Sequence, residues 1–450
     1  MAKLNRKSPI SRATALTHEG AKAYSDNPAR ELRRAVLCCL LWEDTFYESG
    51  EDIANRILKL IDKVPPSQVA TLAVEARTKY HLRHVPLLLV AALAKSGKCS
   101  GTSLISDTIE AVVQRPDEMG ELLAIYKKLN GKRVPIANQI TKGLARVFGR
   151  FTQYQFAKYN RKGEEYSLRD VMFKVHPKPR DEAQIALYNM LANDTLPPPD
   201  TWEVELSAGK DKKETFTRLL TENKLGYLAL LRNLRNMEQS GVNFNLVSKA
   251  IRARKGGADK LLPFRYIAAY RAAPKYQEAL NDALLEGLAN LPRLDGHTAI
   301  YIDVSGSMQA GISGKSDLTR ADVAAALGAV FPGEEVTTYF FDDSVKSVKS
   351  YGRGLNAVDK LKCNGGGTNF QALFEHISKQ KNVHRVIVIT DEQSQTTPTT
   401  RVKKIGEYRY MINVGGYQNS IVSDAEWTRI DGFSENIFRF ISEWEKHNGR

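Results

Sequence analysis

The sequence predicts two architectures in one chain: an α-solenoid of HEAT-like helical repeats, then a doubly wound α/β domain. Three observations predict it. Apolar residues recur at helical spacing from Pro28 to about Leu291. Near Asp295 that period gives way to short β-branched and aromatic runs that alternate with helical stretches. The charge balance changes at the same place. Residues 1–300 carry 47 Lys+Arg against 33 Asp+Glu, whereas residues 301–450 carry 18 against 18. The net charge of +14 therefore belongs to the first two-thirds of the chain, and a basic part beside a neutral one points to a polyanionic partner for the first alone. The expected domains are 1–295 and 296–450.

In the first part, Ile53, Ile57, Leu60, Ile61 and Val64 fall on one face of a helix. Ser49 with Asp52 forms a capping box ahead of it, and Pro65 with Pro66 ends it. Val69, Leu72, Ala73 and Ala76 begin the next stripe, and Leu104, Ile105, Ile109, Val112 and Val113 supply another before Pro116. About a dozen such stripes, with short Gly, Pro or Asn punctuation, fit antiparallel helix pairs that each bury a face on a neighbour. No strict sequence repeat accompanies them, so an irregular helical domain stays equally open. In the second part, Thr298–Val304, Val336–Phe341, His384–Thr390 and Tyr410–Val414 read as strands. Helical stretches near Arg320–Val330 and Phe370–Lys379 lie between them, the pattern of a mostly parallel sheet covered on both faces.

Composition excludes several classes. With 450 residues, 42% hydrophobic and 26% charged, the chain can bury real cores and is not wholly disordered. The longest apolar run, Val85–Ala94, contains Pro86 and is too short for a bilayer. Met1–Ser25 is basic and polar, without the apolar stretch of a signal peptide. The four cysteines, Cys38, Cys39, Cys99 and Cys363, form neither a disulfide framework nor paired metal knuckles, and the expected location is cytoplasmic. Cys38 and Cys39 lie in an apolar helix and read as packing residues. A GxxxxGK[ST] phosphate loop and an HExxH pair are both missing from the sequence. Asp342 and Asp343 follow a strand, but adjacent side chains at a strand end point apart.

One constellation carries chemistry. The first strand runs into Asp303-Val304-Ser305-Gly306-Ser307, which turns three side-chain oxygens toward one point. Thr368 follows the glycine run Gly365–Gly367, and Asp391 directly follows an apolar strand. All three loops fall at the carboxyl ends of parallel strands, where open α/β sheets build their sites. Carboxylates and hydroxyls together make a hard oxygen site suited to Mg²⁺. The set resembles the metal-ion-dependent adhesion site of a von Willebrand factor A domain. The resemblance implies that Ser305 and Ser307 ligate the metal, and that Asp303, Thr368 and Asp391 act directly or through water. An acidic partner group completes the coordination in many members. Glu392 and Gln393 depart from that family, which commonly has glycine and then a small or acidic residue.

Such a domain behind a basic helical array resembles the Ro autoantigen family, also called TROVE-domain proteins, in its bacterial or phage-type members. The matching segments include HEGAKAY at His18–Tyr24, VATLAVEAR at Val69–Arg77, YSLRDVMFKVHPKP at Tyr166–Pro179 and LLPFRYIAAYR at Leu261–Arg271. The resemblance implies a monomeric, closed ring of HEAT-like helices. It implies small structured Y RNA on the outer basic face and single-stranded 3′ ends of misfolded RNA in a central hole. It also implies work with an exoribonuclease such as polynucleotide phosphorylase, and no catalysis by the chain itself.

Residue patterns bear on the same reading. Residues 142–180 contain ten Lys/Arg and three Asp/Glu among seven Phe and Tyr, and residues 249–275 contain eight Lys/Arg and one Asp. Cations track phosphates and aromatics stack on unpaired bases, although aromatics at helical spacing are more often core. The candidate RNA contacts are Lys142, Arg146, Arg150, Lys158, Arg161, Lys162, His176 and Lys178, with Arg252, Arg254 and Lys255 from the second cluster. Lys158, Arg161, His176 and Lys178 match a family stretch associated with RNA contact; on sequence alone His176 favours the core. A Mg²⁺-dependent nuclease and a protein-adhesion module are the alternatives.

Overall fold

The computed structural model describes residues 15–24, 27–38, 49–160, 163–289, 291–312, 317–348, 351–361, 365–400, 402, 405–423, 426–432, 434 and 436–448. Cys39 and Cys363 lie outside them; Cys38 and Cys99 are buried free thiols. The chain forms two compact units that do not divide at 295. One comprises 55–225 and 239–246, the other 1–54, 226–238 and 247–450.

The first unit is helical. Its helices pack on the next or the next but one: Pro66–Thr78 on His84–Ser96 and Leu104–Val112, and Leu104–Val112 on Asn138–Phe148. That is the neighbour pattern of a helical repeat. Asn138–Phe148 buries Ile140, Gly143, Leu144, Val147 and Phe148. A Cβ at Gly143 would lie 2.9 Å from Ile109 Cβ, so the missing side chain permits the close approach. Helix starts are fixed locally. Thr152 and Ser167 each form a capping box, with Gln155 and Asp170 respectively. The expected cap at Ser49 forms too: its Oγ accepts from the Asp52 N–H (3.1 Å) and donates to the Asp52 carboxylate (2.6 Å).

A buried ion-pair network runs beneath the helix starts. Arg77 pairs with Glu118 (2.7 Å) and donates to the Val112 carbonyl (2.8 Å). Glu118 also accepts from the N–H groups of Gln114 and Arg115 (2.8 and 3.1 Å). Burial raises the Glu118 pKa against the opposing charge of Arg77. A lone carboxylate there would be costly, and the guanidinium with the two backbone donors offsets that cost.

The second unit is built on a sheet. A short hairpin, β1 (Ala15–Leu16) and β2 (Lys22–Ala23), precedes the helix Pro28–Leu37. The sheet comprises β3 (Leu294–Asp303), β4 (Gly333–Phe341), β5 (Val345–Val348), β6 (Arg385–Thr390), β7 (Tyr408–Asn413) and β8 (Thr428–Asp431). Their order is β5-β4-β3-β6-β7-β8, parallel throughout except for β5. β3 and β6 are central, and from Thr298 and Arg385 onward they are buried on both faces, as a covered parallel sheet requires. The expected strands and the helices Arg320–Ala329 and Phe370–Ser378 are present. β5 and β8 were not expected, because Val345–Val348 and Thr428–Asp431 are short and half polar.

Tertiary contacts explain why this unit reaches outside 296–450. Arg271, on the helix Phe264–Ala272, forms a two-pronged pair with Asp322 (2.9 and 2.5 Å). Thr17 donates to the Ser394 carbonyl (2.7 Å), and the Tyr24 N–H to the Ser420 carbonyl (2.7 Å). Arg34 is fully buried between Glu392 (2.9 Å) and Asp431 (3.0 Å). No helix among the described residues is long and apolar enough to cross a membrane.

Candidate metal centre and nucleic-acid interface

β3 and β6 end side by side, and the oxygen-bearing loops continue from them. Asp303 closes β3; its Oδ1 accepts from the Ser305 N–H (2.9 Å) and its Oδ2 from the Thr390 hydroxyl (2.5 Å). The Ser305 and Ser307 hydroxyls lie 3.4 Å apart. The Gly306 N–H donates to the Gly366 carbonyl (2.8 Å), fastening this loop to the glycine run before Thr368. A Cβ on Gly366 would stand 2.6 Å from the Asp343 carboxylate, which accepts the Gly367 N–H (3.1 Å). Asp343 thus braces the glycine run while Asp342 accepts from the Ser344 N–H (3.0 Å), so the two carboxylates do part.

Asp303, Ser305, Ser307, Thr368 and Asp391 are all at most 3% exposed. Thr368 Oγ1 and Asp391 Oδ2 are buried without a hydrogen-bond partner among the described residues. Burial raises the pKa of Asp303, and the nearby charge of Asp391 adds to the rise. Burial likewise raises Asp391, against the Ser307 hydroxyl, the charge of Arg320 and the Gln393 N–H; the charge of Glu19 adds to the rise. Two dehydrated carboxylates and unmet hydroxyl oxygen fit a hard divalent cation, which would satisfy them together. Among the described residues there is no cluster of three or more His, Cys, Asp or Glu side chains that could hold a metal. The donor set here is instead a mixture of carboxylate and hydroxyl.

Glu392, the departure noted beside Asp391, has a structural role. Its carboxylate pairs with Arg34 and accepts from Asn413 Nδ2 (3.0 Å), the Ile421 N–H (3.0 Å) and the Ser420 hydroxyl. Burial works to raise its pKa, but Arg34, Arg429, Ser420 and Asn413 together hold it below its ordinary value. Sequence reasoning missed this, because the partner cation stands 358 positions away.

The basic candidates divide between the two units. In the helical unit, Lys142 and Arg146 project from the exposed face of Asn138–Phe148, at i and i+4, and Arg150 is exposed two residues past its end. Arg146 pairs with Asp107 (3.0 Å) and Glu110 (2.6 Å), and Arg150 donates to the Glu110 carbonyl (2.8 Å). Exposed pairs of this kind are weak and open readily for a phosphate. Phe151 and Phe156 are core, whereas Tyr154 and Phe173 are 44% and 52% exposed. Lys158 lies 5.7 Å from the Tyr154 ring and Arg169 the same distance from Phe173. His176 ends the helix Leu168–Val175 in the left-handed conformation and is exposed, as is Lys178; the core expectation for His176 is corrected. Arg161 and Lys162 lie outside the described residues.

The second cluster is mostly structural. Phe264 and Tyr266 are each 2% exposed, and Tyr270 donates to Asp359 (3.0 Å). Arg254 donates to Tyr266 Oη (2.7 Å) and to the Ala283 carbonyl, leaving little of its guanidinium at the surface. Arg252 is exposed and paired with Asp282 (2.7 Å); Lys255 is exposed.

The family model described as the TROVE domain matches residues 192–254. In fold, the chain is similar to the Ro (Rsr) protein of Deinococcus radiodurans, with a TM-score of 0.59 over 93% of this chain and 100% of the other. The identity is 17%, so that likeness is one of fold. No curated protein matches the sequence.

Proposed function

We propose that this chain, a Ro-like TROVE protein, is a non-catalytic cytoplasmic RNA-binding protein. It holds small structured noncoding RNA of the Y type and the single-stranded 3′ ends of misfolded RNA, and presents them to an exoribonuclease such as polynucleotide phosphorylase. The observation that carries the reading is the pairing of exposed aromatics with nearby cations in the helical unit. Tyr154 and Phe173 stand outside the core with Lys158 and Arg169 near their rings. The helix Asn138–Phe148 that precedes them carries Lys142 and Arg146 on its exposed face, and Arg150 is exposed just past its end. Rings that do not pack are available to stack on unpaired bases, and the cations to follow the phosphates. A Mg²⁺ ion, held by Asp303, Ser305, Ser307, Thr368 and Asp391, belongs to the sheet unit and supplies a hard cation for an acidic group.

The test is fluorescence anisotropy with a structured RNA bearing a single-stranded tail. Affinity should fall about tenfold or more between 50 and 200 mM salt, through counterion release. Lys142→Glu with Lys178→Glu should flatten the salt slope by about one unit for each lost phosphate contact. Tyr154→Ala and Phe173→Ala should each cost about 1–3 kcal/mol on the tailed RNA. A flat salt response, or unchanged binding in all these variants, would remove the basis of the reading.

A further inference from the structure

Three hydrogen bonds join the helix Pro28–Leu37 to Asp303, the residue that closes β3. Arg34 Nη2 donates to Glu392 Oε1 (2.9 Å), the Glu392 N–H to Thr390 Oγ1 (3.0 Å), and the Thr390 hydroxyl to Asp303 Oδ2 (2.5 Å). All four residues are fully buried. Because Thr390 Oγ1 accepts the Glu392 N–H, its own proton is left for Asp303, and the Ser305 N–H donates to the other carboxylate oxygen (2.9 Å). That direction depends on Glu392, whose backbone is left-handed (φ 59°). Residues with side chains seldom adopt this region. The Glu392 carboxylate is held there by Arg34, Asn413 Nδ2, the Ile421 N–H and the Ser420 hydroxyl. A second branch reaches Asp391. Asn413 Oδ1 accepts from the Gly415 and Gly416 N–H groups (2.9 Å each), and a Cβ on Gly415 would stand 2.4 Å from Asp391 Cβ. One anchor thus serves both candidate carboxylates.

We infer that Thr390 and Glu392 are positioning residues of the metal centre and that Arg34 holds Glu392 to that task, so that docking of the helix Pro28–Leu37 and binding of a divalent cation favour each other. The inference rests on the Mg²⁺ reading above. A hard cation binds well only where its oxygens already point at it. Thr390 fixes the rotation of the Asp303 carboxylate, and the Asn413 amide fixes the backbone wall beside Asp391. Arg34 is itself fastened to Asp431 (3.0 Å) and the Asn419 carbonyl (3.0 Å), so the helix presents Glu392 with a guanidinium already set in place. The coupling runs both ways: whatever factor the docked helix adds to metal affinity, bound metal adds to docking.

The experiment uses the full chain with Mn²⁺ as probe. Affinity is read by electron paramagnetic resonance, and hydrogen exchange of the Pro28–Leu37 amides by mass spectrometry. Thr390→Val keeps the branched shape and removes the hydroxyl. It should weaken Mn²⁺ about tenfold or more, the range for partners that orient metal ligands. Thr390→Ser restores the donor and should recover most of the loss. Arg34→Met should weaken Mn²⁺ as Thr390→Val does; if it does not fold, the Thr390 pair decides alone. Saturating Mn²⁺ should slow exchange in the helix in the wild type and in Thr390→Ser, and far less in Thr390→Val. Wild-type affinity in Thr390→Val, or Mn²⁺ protection confined to the loops 303–307 and 366–369, would overturn the inference while leaving the metal site standing. Equal weakening by Thr390→Ser and Thr390→Val would do the same, reducing Thr390 to packing. Failure of the wild-type protein to bind Mn²⁺, with Ser305→Ala/Ser307→Ala indistinguishable from it, would overturn both.

Discussion

Thr368 holds a hydroxyl at 1% exposure to which no group among the described residues donates or accepts. A buried, unmet polar group costs about 1–3 kcal/mol. Thr368→Val keeps the shape and removes that group, so in chelator the variant should melt no lower than the wild type. Saturating Mg²⁺ should then raise the melting temperature of the wild type alone; at a hundred times Kd the linkage is about 2.7 kcal/mol. An equal Mg²⁺ gain in Thr368→Val, read by calorimetry, would count against the metal assignment. The five oxygen residues were legible in the sequence because three share one loop and the others follow recognisable elements. Glu392 was legible only as a departure. Its meaning comes from Arg34, and no local pattern links residues so far apart. Glu19 sits in a segment that sequence reading used as a family marker, with nothing nearby to say which surface it meets.

At the scale of the element, apolar periodicity revealed the helices well, since each stripe is a local property of a few turns. The two polar strands escaped because β5 and β8 are only four residues long and carry Lys, Ser, Arg and Asp; β5 also buries little, whereas β8 buries polar residues. Basic residues were easy to count but hard to allocate. Arg254 and Lys255 are neighbours in one cluster, yet one is held by Tyr266 and the Ala283 carbonyl and the other is exposed. Such differences depend on which helix lies opposite. The same holds for Arg77, which ties the helix Pro66–Thr78 to the start of Asp117–Asn130 through Glu118. Arg77→Ala should lower stability by up to about 3–5 kcal/mol, because buried Glu118 would lose its nearest cation and keep only Arg83 at 3.5 Å. Urea denaturation measures this directly, and a loss below about 1 kcal/mol would mean the carboxylate finds other compensation.

For the whole molecule, the charge asymmetry forecasts a division of labour between RNA and metal. Ser305→Ala with Ser307→Ala should abolish Mn²⁺ binding and leave RNA affinity within about twofold, since the exposed cation and aromatic face lies in the other compact unit. Anisotropy of both variants at matched salt decides it. A loss of RNA affinity as large as that of the lysine reversals would place metal and RNA in one site. Charge counting placed the surplus cations before residue 301, whereas the compact units are 55–225 with 239–246 and the remainder, so part of that surplus belongs to the sheet-bearing unit. Composition cannot register that Thr17, Arg34 and Arg271 find their partners among residues 322–431.

Arg34 waits long for its partners. Its two carboxylates stand 358 and 397 positions further along the chain. A ribosome adding about 5–20 residues each second keeps it unanswered for roughly twenty seconds or more, long after the intervening helices have emerged. Any product halted before Asp431 leaves this guanidinium with an incomplete socket, and the hairpin holding Glu19 with less to lean on. Translation that runs to completion is thus tied to a finished socket for Arg34. Truncated chains should be conspicuous to proteases at their oldest end rather than at the newest.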